Sequence, residues 1–195
     1  MSDPVEVLTF WIDELGPEGW YAGGEEIDDA CATRFGELWQ ALEEGGLEHW
    51  IDGTVGTLAY LVIADQFARN IHRGTAKAFA TDAKARAAAR LALDEGWDLG
   101  APEPERQFFY MPFEHSENAE DQALSVELFA ERMPGSPDSL LHARAHQEVI
   151  RRFGRFPFRN EALGRETTPA EAEFLANGAY MGLVEEMGGS HASDA

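Results

Sequence analysis

The chain has 195 residues, 44% of them apolar, and a net charge of −21. That length supports one domain with a core of its own and needs no covalent staple. The charge argues against nucleic acid and anionic membrane surfaces as partners, and the single cysteine, Cys31, excludes an intramolecular disulfide and a thiolate metal cluster.

Apolar residues recur at helical spacing along almost the whole chain. Asp3-Pro4 reads as an N-cap and first helical residue, followed by the stripe Val7, Leu8, Trp11, Ile12 and Leu15, which ends at Gly16-Pro17. Residues 20–24 read as a loop. A second helix is expected over residues 25–44, with Ile27, Cys31, Phe35, Leu38 and Leu42 on one face; Cys31 there reads as core. A short piece at 47–51 leads to a third helix that opens at Thr54 and ends near Asn70. Residues 58–64 are the longest purely apolar run, too short to cross a bilayer. A strand at 60–63 is the competing reading, disfavoured because no second strand-like run exists to pair with it.

Residues 75–80 read as a connector, and an alanine-rich helix follows from Thr81 or Asp82 to about Glu95, closed by Gly96. The next helix is expected from Ala101-Pro102 through Met111, with Pro112 disturbing its end. Further helices are expected over 118–132 and 139–153, then a loop over 154–164 around Pro157. Thr168-Pro169-Ala170-Glu171 combines a capping box with proline at the first helical position and starts a last helix. The expected architecture is all-α: about eight helices stacked as antiparallel hairpins, in a single domain over 1–187 with a flexible tail at 188–195. The N-terminal 15 residues carry Asp3, Glu6, Asp13 and Glu14 and no Lys or Arg, unlike a secretory or mitochondrial leader, so the cytoplasm is the expected compartment.

Charge is unevenly spread. Residues 1–53 hold 14 acids and one base, Arg34, whereas residues 142–166 hold six arginines against three acids. These arginines either neutralise the acidic N-terminal half or form a cationic site.

Three blocks resemble a known family: Asp65-Gln66-Phe67-Ala68-Arg69-Asn70-Ile71-His72-Arg73-Gly74-Thr75-Ala76; Phe109-Tyr110-Met111-Pro112-Phe113-Glu114-His115-Ser116-Glu117; and Phe153-Gly154-Arg155-Phe156-Pro157-Phe158-Arg159-Asn160 with Leu163-Gly164-Arg165-Glu166. Phe10-Trp11 and Trp20-Tyr21 also match its pattern. The sequence is similar over nearly its whole length to the bacterial domain of unknown function 924. That resemblance implies a tetratricopeptide-like helical-hairpin fold and carries no function. Phe158 stands where the family pattern has a histidine. His146 stands where it has a histidine too, and His142 where it commonly has an aromatic residue.

The chemistry on offer lies in these blocks. Asp65 and Arg69, four apart on one helix face, suit an ion pair. Asp65 follows a buried run and needs a partner there. Arginine forks suit carboxylate and phosphate, so Gln66, Arg69, Asn70, Arg73, Arg152, Arg155, Arg159 and Asn160 are the candidate ligand-binding residues. Phe153, Phe156 and Phe158 alternate with arginines, as in a pocket wall or a loop anchored by cation–π contacts. Asp65, Glu114, His115 and His146 are the acid–base candidates. His142 and His146 have chelating i, i+4 spacing, but Ala143, Arg144 and Ala145 between them make no His-Glu-x-x-His motif, and no metal site is assigned. The sequence does not identify a cofactor.

The function expected from these residues is a polar Arg/Asn/His pocket for a small phosphate or carboxylate ligand, with hydrolysis or proton transfer as its simplest chemistry. The alternative is a helical-hairpin scaffold that binds a peptide or protein partner, or a second copy of the chain, with the arginines in structural ion pairs.

Overall fold

A computed structural model describes residues 3–192, with side chains described to residue 188. Among the described residues there is no strand, and the protein is all-α. The chain divides into two compact units, residues 1–112 and 113–195.

The first unit opens as expected. The Asp3 carboxylate accepts the Glu6 N–H at 2.9 Å and Pro4 takes the first helical position of α1, Pro4–Leu8. The helical path then continues through π-helical Thr9–Leu15 and α2, Gly16–Trp20. Gly16-Pro17 therefore redirects the helical path rather than ending it, because proline at a first turn loses no hydrogen bond. α3 spans Glu25–Glu43. α4, Thr54–Leu61, runs on into π-helical Val62–Phe67 and α5, Ala68–Ile71. α6 spans Asp82–Glu95, and Gly96 (φ 70°) ends it in the left-handed region. Helix was expected from Ala101 to Met111. Only a 3₁₀ turn at Glu105–Phe109 forms there, because Pro102 and Pro104 remove two donors in one turn. Pro112 lies inside α7, the single turn Met111–Glu114, where its missing N–H costs nothing.

Aromatic rings fill the core of this unit. Phe67 stacks on Phe35 at 4.8 Å and meets Trp11 edge-on at 5.5 Å, while Trp20 meets Phe108 at 4.9 Å. Each such pair contributes about 0.5–1.5 kcal/mol beyond the area it buries. Cys31 is fully buried among them, and burial pushes its thiol up to about 12, so it behaves as core.

In the second unit α8, Ala119–Arg132, packs on α9, Pro137–Phe153, as a hairpin, and α11, Ala179–Ala192, packs on α9. The Asn118 side chain caps α8 by accepting the N–H groups of Glu120 and Asp121. α9 ends at Gly154 (φ 69°), a conformation that glycine adopts without strain, and the chain turns there into the 155–164 loop. α10, Pro169–Ala176, carries the capping box: Thr168 and Glu171 each satisfy the other's backbone N–H. The last helix was read as one piece, but Asn177 and Gly178 (φ 86°) separate α10 from α11. α11 continues to Ala192 and so takes in residues 188–192 of the expected tail; 193–195 lie outside the described residues. Ala145, Val149, Ile150, Phe156, Leu183 and Val184 form the core of this unit. No described helix is long and apolar enough to cross a membrane.

Candidate functional site

Each candidate block proves to be organised around a carboxylate, and the partners of those carboxylates differ. In the first unit Asp65 lies in the buried π-helical segment, 1% exposed. Arg69 pairs with it at 3.1 Å and with Asp82 at 3.2 Å. The Gln66 amide donates to the other Asp65 oxygen. Arg73 grips Asp28 with two donors at 2.6 and 2.7 Å, and Asn70 donates to the same carboxylate at 2.8 Å. Those hydrogen bonds, Arg73's foremost, hold Asp28 below the usual carboxylate range. Gln66, Arg69, Asn70 and Arg73 thus spend their donors on acids of their own unit.

The 155–168 segment is tied down in the same way. The Arg155 guanidinium binds both oxygens of the buried Glu171, at 2.6 and 2.8 Å, and donates to the Glu166 carbonyl. Arg155's hydrogen bonds and the Thr168 backbone hold Glu171 down to about 2. Asn160 donates to Glu171 at 3.3 Å and accepts from Arg165 at 3.0 Å. Arg165 also takes Glu117 in its fork, at 2.8 and 3.0 Å, and the same Glu117 accepts the Phe156 N–H at 2.8 Å. Burial works to raise Glu117, and Arg165 brings it below its ordinary value. Arg152 pairs with Glu148 at 2.7 Å on the exposed face of α9, beside a cleft of about 630 Å³ lined also by Arg144, Arg151, Ile150 and Leu183.

This network fixes the position of Phe156, and Phe156 faces a cluster of a different kind. The Phe156 ring stands 5.5 Å from His146. His146 Nδ1 lies 2.8 Å from Glu114 Oε1 and 3.0 Å from the His142 carbonyl oxygen. Both neighbours are acceptors, so this nitrogen carries a proton. His115 completes the group: ligand atoms of Glu114, His115 and His146 all lie within 4.8 Å of one another. Tyr180 covers His146 at 4.4 Å, and its hydroxyl bonds His142 Nδ1. Arg159 lies over the Phe156 ring at 4.5 Å. Phe158 stacks on Phe156 at 5.2 Å and stands 6.4 Å from Tyr180, at the margin of the same cluster.

Local structure explains why these groups meet. The α7 turn ends at Glu114, and the buried Gln122 amide of α8 donates to the carbonyls of Glu114 and Ser116 at 2.6 and 2.7 Å. That clamp presents Glu114 and His115 towards α9, where His142 and His146 occupy successive turns of one face. Glu114 is 5% exposed, His146 9%, and His115 is half-buried, so solvent reaches the cluster from the His115 side. Burial alone would raise Glu114. The charge and hydrogen bond of His146, with His115 and His142, pull it below the ordinary carboxylate value, and it stays ionised. Burial pushes His142 down.

Of the four acid–base candidates, Glu114, His115 and His146 come together, and Asp65 belongs to the first unit's ion pairs. Of the ligand-binding candidates in the second unit, Arg159 stacks on the wall of the cluster, Arg155 and Asn160 are engaged by Glu171, and Arg152 lies at the cleft. Tyr180 was missed, since nothing in the sequence around it marks a partner on α9. Glu117, beside Glu114 and His115 in the sequence, suggests acid–base chemistry and Glu171 a cap; in the fold both hold arginines, a role that depends on contacts between segments.

Fold and cluster together define an all-α protein whose second unit carries a carboxylate–histidine centre. The sequence belongs to the family described as bacterial protein of unknown function (DUF924), which it matches over residues 7–179. It is also similar to a solved structure described as a protein of unknown function, ATU0120 from Agrobacterium tumefaciens: 37% identity, 88% of this chain and 96% of that chain covered, TM-score 0.83. No curated protein matches it.

Proposed function

We propose that the second unit binds a small anionic ligand, a phosphate or a carboxylate, at the Glu114–His115–His146 cluster and performs hydrolysis or proton transfer on it. The observation that supports this is the convergence of those three groups within 4.8 Å. A buried carboxylate bonded to an imidazole is an arrangement that orients a ring for chemistry. Phe156, Phe158 and Tyr180 give the site apolar walls, and Arg159 on Phe156 supplies a nearby positive charge. His115, half-buried, is the group that meets the ligand. The arginines held by Glu117 and Glu171 shape the second unit around this centre, those held by Asp28 and Asp65 belong to the first unit's ion pairs, and none of them contacts the ligand.

Thermal unfolding in the presence of a panel of phosphates and carboxylates tests the reading. At least one anion should raise the melting temperature of the wild type, and His115→Ala should lose that shift while Arg73→Ala keeps it. If no anion acts, or if the shift survives His115→Ala, the reading fails.

A further inference from the structure

A carboxylate at the centre of an anion site is a contradiction unless something positive stands between them. Glu114 is buried, its Oε1 lies 2.8 Å from His146 Nδ1, and the side chains around it are imidazoles rather than guanidinium groups. Elsewhere in the molecule the buried carboxylates Asp65 and Glu171 have arginine partners. An imidazole differs from a guanidinium in one decisive respect: it can give up a proton and offer a lone pair.

We infer that Glu114, His115 and His146 bind one divalent transition-metal ion of the zinc class, and that this ion is what receives the anionic ligand. The inference deepens the function proposed above and rests on it for the ligand, though not for the metal.

The geometry is close to what such an ion needs. Donors about 2.0–2.1 Å from a tetrahedral zinc stand about 3.3 Å apart. Glu114 Oε1 and His146 Nδ1 already stand 2.8 Å apart and share a proton that the ion would replace. The widest separation in the group is within 4.8 Å, so His115 has at most about 1.5 Å to close, a change that rotation of a half-buried side chain supplies. Two imidazoles are borderline donors, and with one carboxylate they make a set that favours zinc-class ions over the all-oxygen sites of magnesium or calcium. Three protein donors leave a coordination position open towards the solvent-accessible His115 side. The ion there would lower the pKa of a bound water and accept a phosphate or carboxylate oxygen. His142 is not one of the three residues whose ligand atoms lie within 4.8 Å of one another; its Nδ1 bonds the Tyr180 hydroxyl, and through its carbonyl it positions His146.

The test uses full-length protein stripped with chelator and titrated with Zn²⁺ and Co²⁺, followed by calorimetry and by visible Co²⁺ absorption. One equivalent should bind, with the absorption bands of a four- or five-coordinate Co²⁺ site, and Mg²⁺ should not compete. His115→Ala and Glu114→Gln should each weaken binding about tenfold or more, with circular dichroism confirming that they fold, and His49→Ala, in the first unit's 3₁₀ turn Glu48–Trp50, should leave it unchanged. Failure of the wild type to bind Zn²⁺, or binding equally tight in His115→Ala and Glu114→Gln, overturns the inference. The anion panel separates the two readings. Anion shifts in stripped protein that depend on His115 would leave the proposed function standing without a metal. Stoichiometric Zn²⁺ binding with no anion response would support the metal and remove the ligand.

Discussion

The first unit and the Glu114 cluster of the second solve the same electrostatic problem with different residues, and the difference tells structure from chemistry. In the first unit the buried Asp65 is met by Arg69, which also reaches Asp82, and Asp28 is met by Arg73. A guanidinium is always charged, so such a pair holds one state. In the second unit the buried Glu114 is met by imidazoles, His146 at 2.8 Å and His115 within the same cluster. Imidazoles change protonation state and bind metals near neutral pH. The first arrangement resists change and fixes helices. The second admits exchange of a proton for a cation, which is why the candidate site is placed there.

The sharpest way to break this contrast is to remove the carboxylates one at a time. Asp65→Asn leaves Arg69 partly buried beside a neutral amide and should cost about 3 kcal/mol, the low end for breaking a buried pair, since Asp82 remains. Asp28→Asn should cost about 1 kcal/mol, because Arg73 is 55% exposed and water can replace its partner. Urea denaturation at neutral pH measures both. Equal costs would mean that burial does not set the strength of these pairs, and the first unit would lose its role as the structural reference.

Glu114→Gln should behave differently. The amide has nearly the same shape and keeps an oxygen that can accept from His146 Nδ1, so stability should stay within about 1 kcal/mol of the wild type. A loss as large as that of Asp65→Asn would show that Glu114 belongs with the structural carboxylates.

The contrast was only half legible in the sequence. Caps were readable because they are local: Asp3-Pro4 and Thr168-Pro169-Ala170-Glu171 announce helix starts through residues a few positions apart. The Asp65–Arg69 pair was readable for the same reason, being one helical turn long. The 101–111 segment was misread because Ala101-Pro102 looks like a helix start, while Pro102 and Pro104 together remove two donors from one turn. Glu114, His115 and His146 could be named as candidates. Which charges they would meet depended on α7, α9 and α11 packing together, and no periodicity encodes that. Arg155 shows this limit plainly: in sequence it is a cation beside phenylalanines, whereas in the fold Glu171 of α10 accounts for it.

The smallest expected effect concerns that last pair and is a matter of pH. Glu171 titrates at about 2 in the folded protein against an ordinary 4.5. A depressed carboxylate adds stability above its unfolded pKa and loses it as the pH falls towards the folded one. The contribution should therefore be complete at pH 6, decline below about pH 4.5 and be gone near pH 2. Glu171→Gln should lower the melting temperature at pH 6 and leave it close to that of the wild type near pH 2, provided both still fold there. Salt should narrow the gap at pH 6, since Arg155 is open to solvent. The Zn²⁺ response of Glu171→Gln should match the wild type, because Glu171 acts on the 155–168 loop and not on the cluster. A variant that lost zinc binding together with its acid-sensitive stability would show that the two carboxylates work as one system, and the line drawn here between structural and chemical acids would have to run elsewhere.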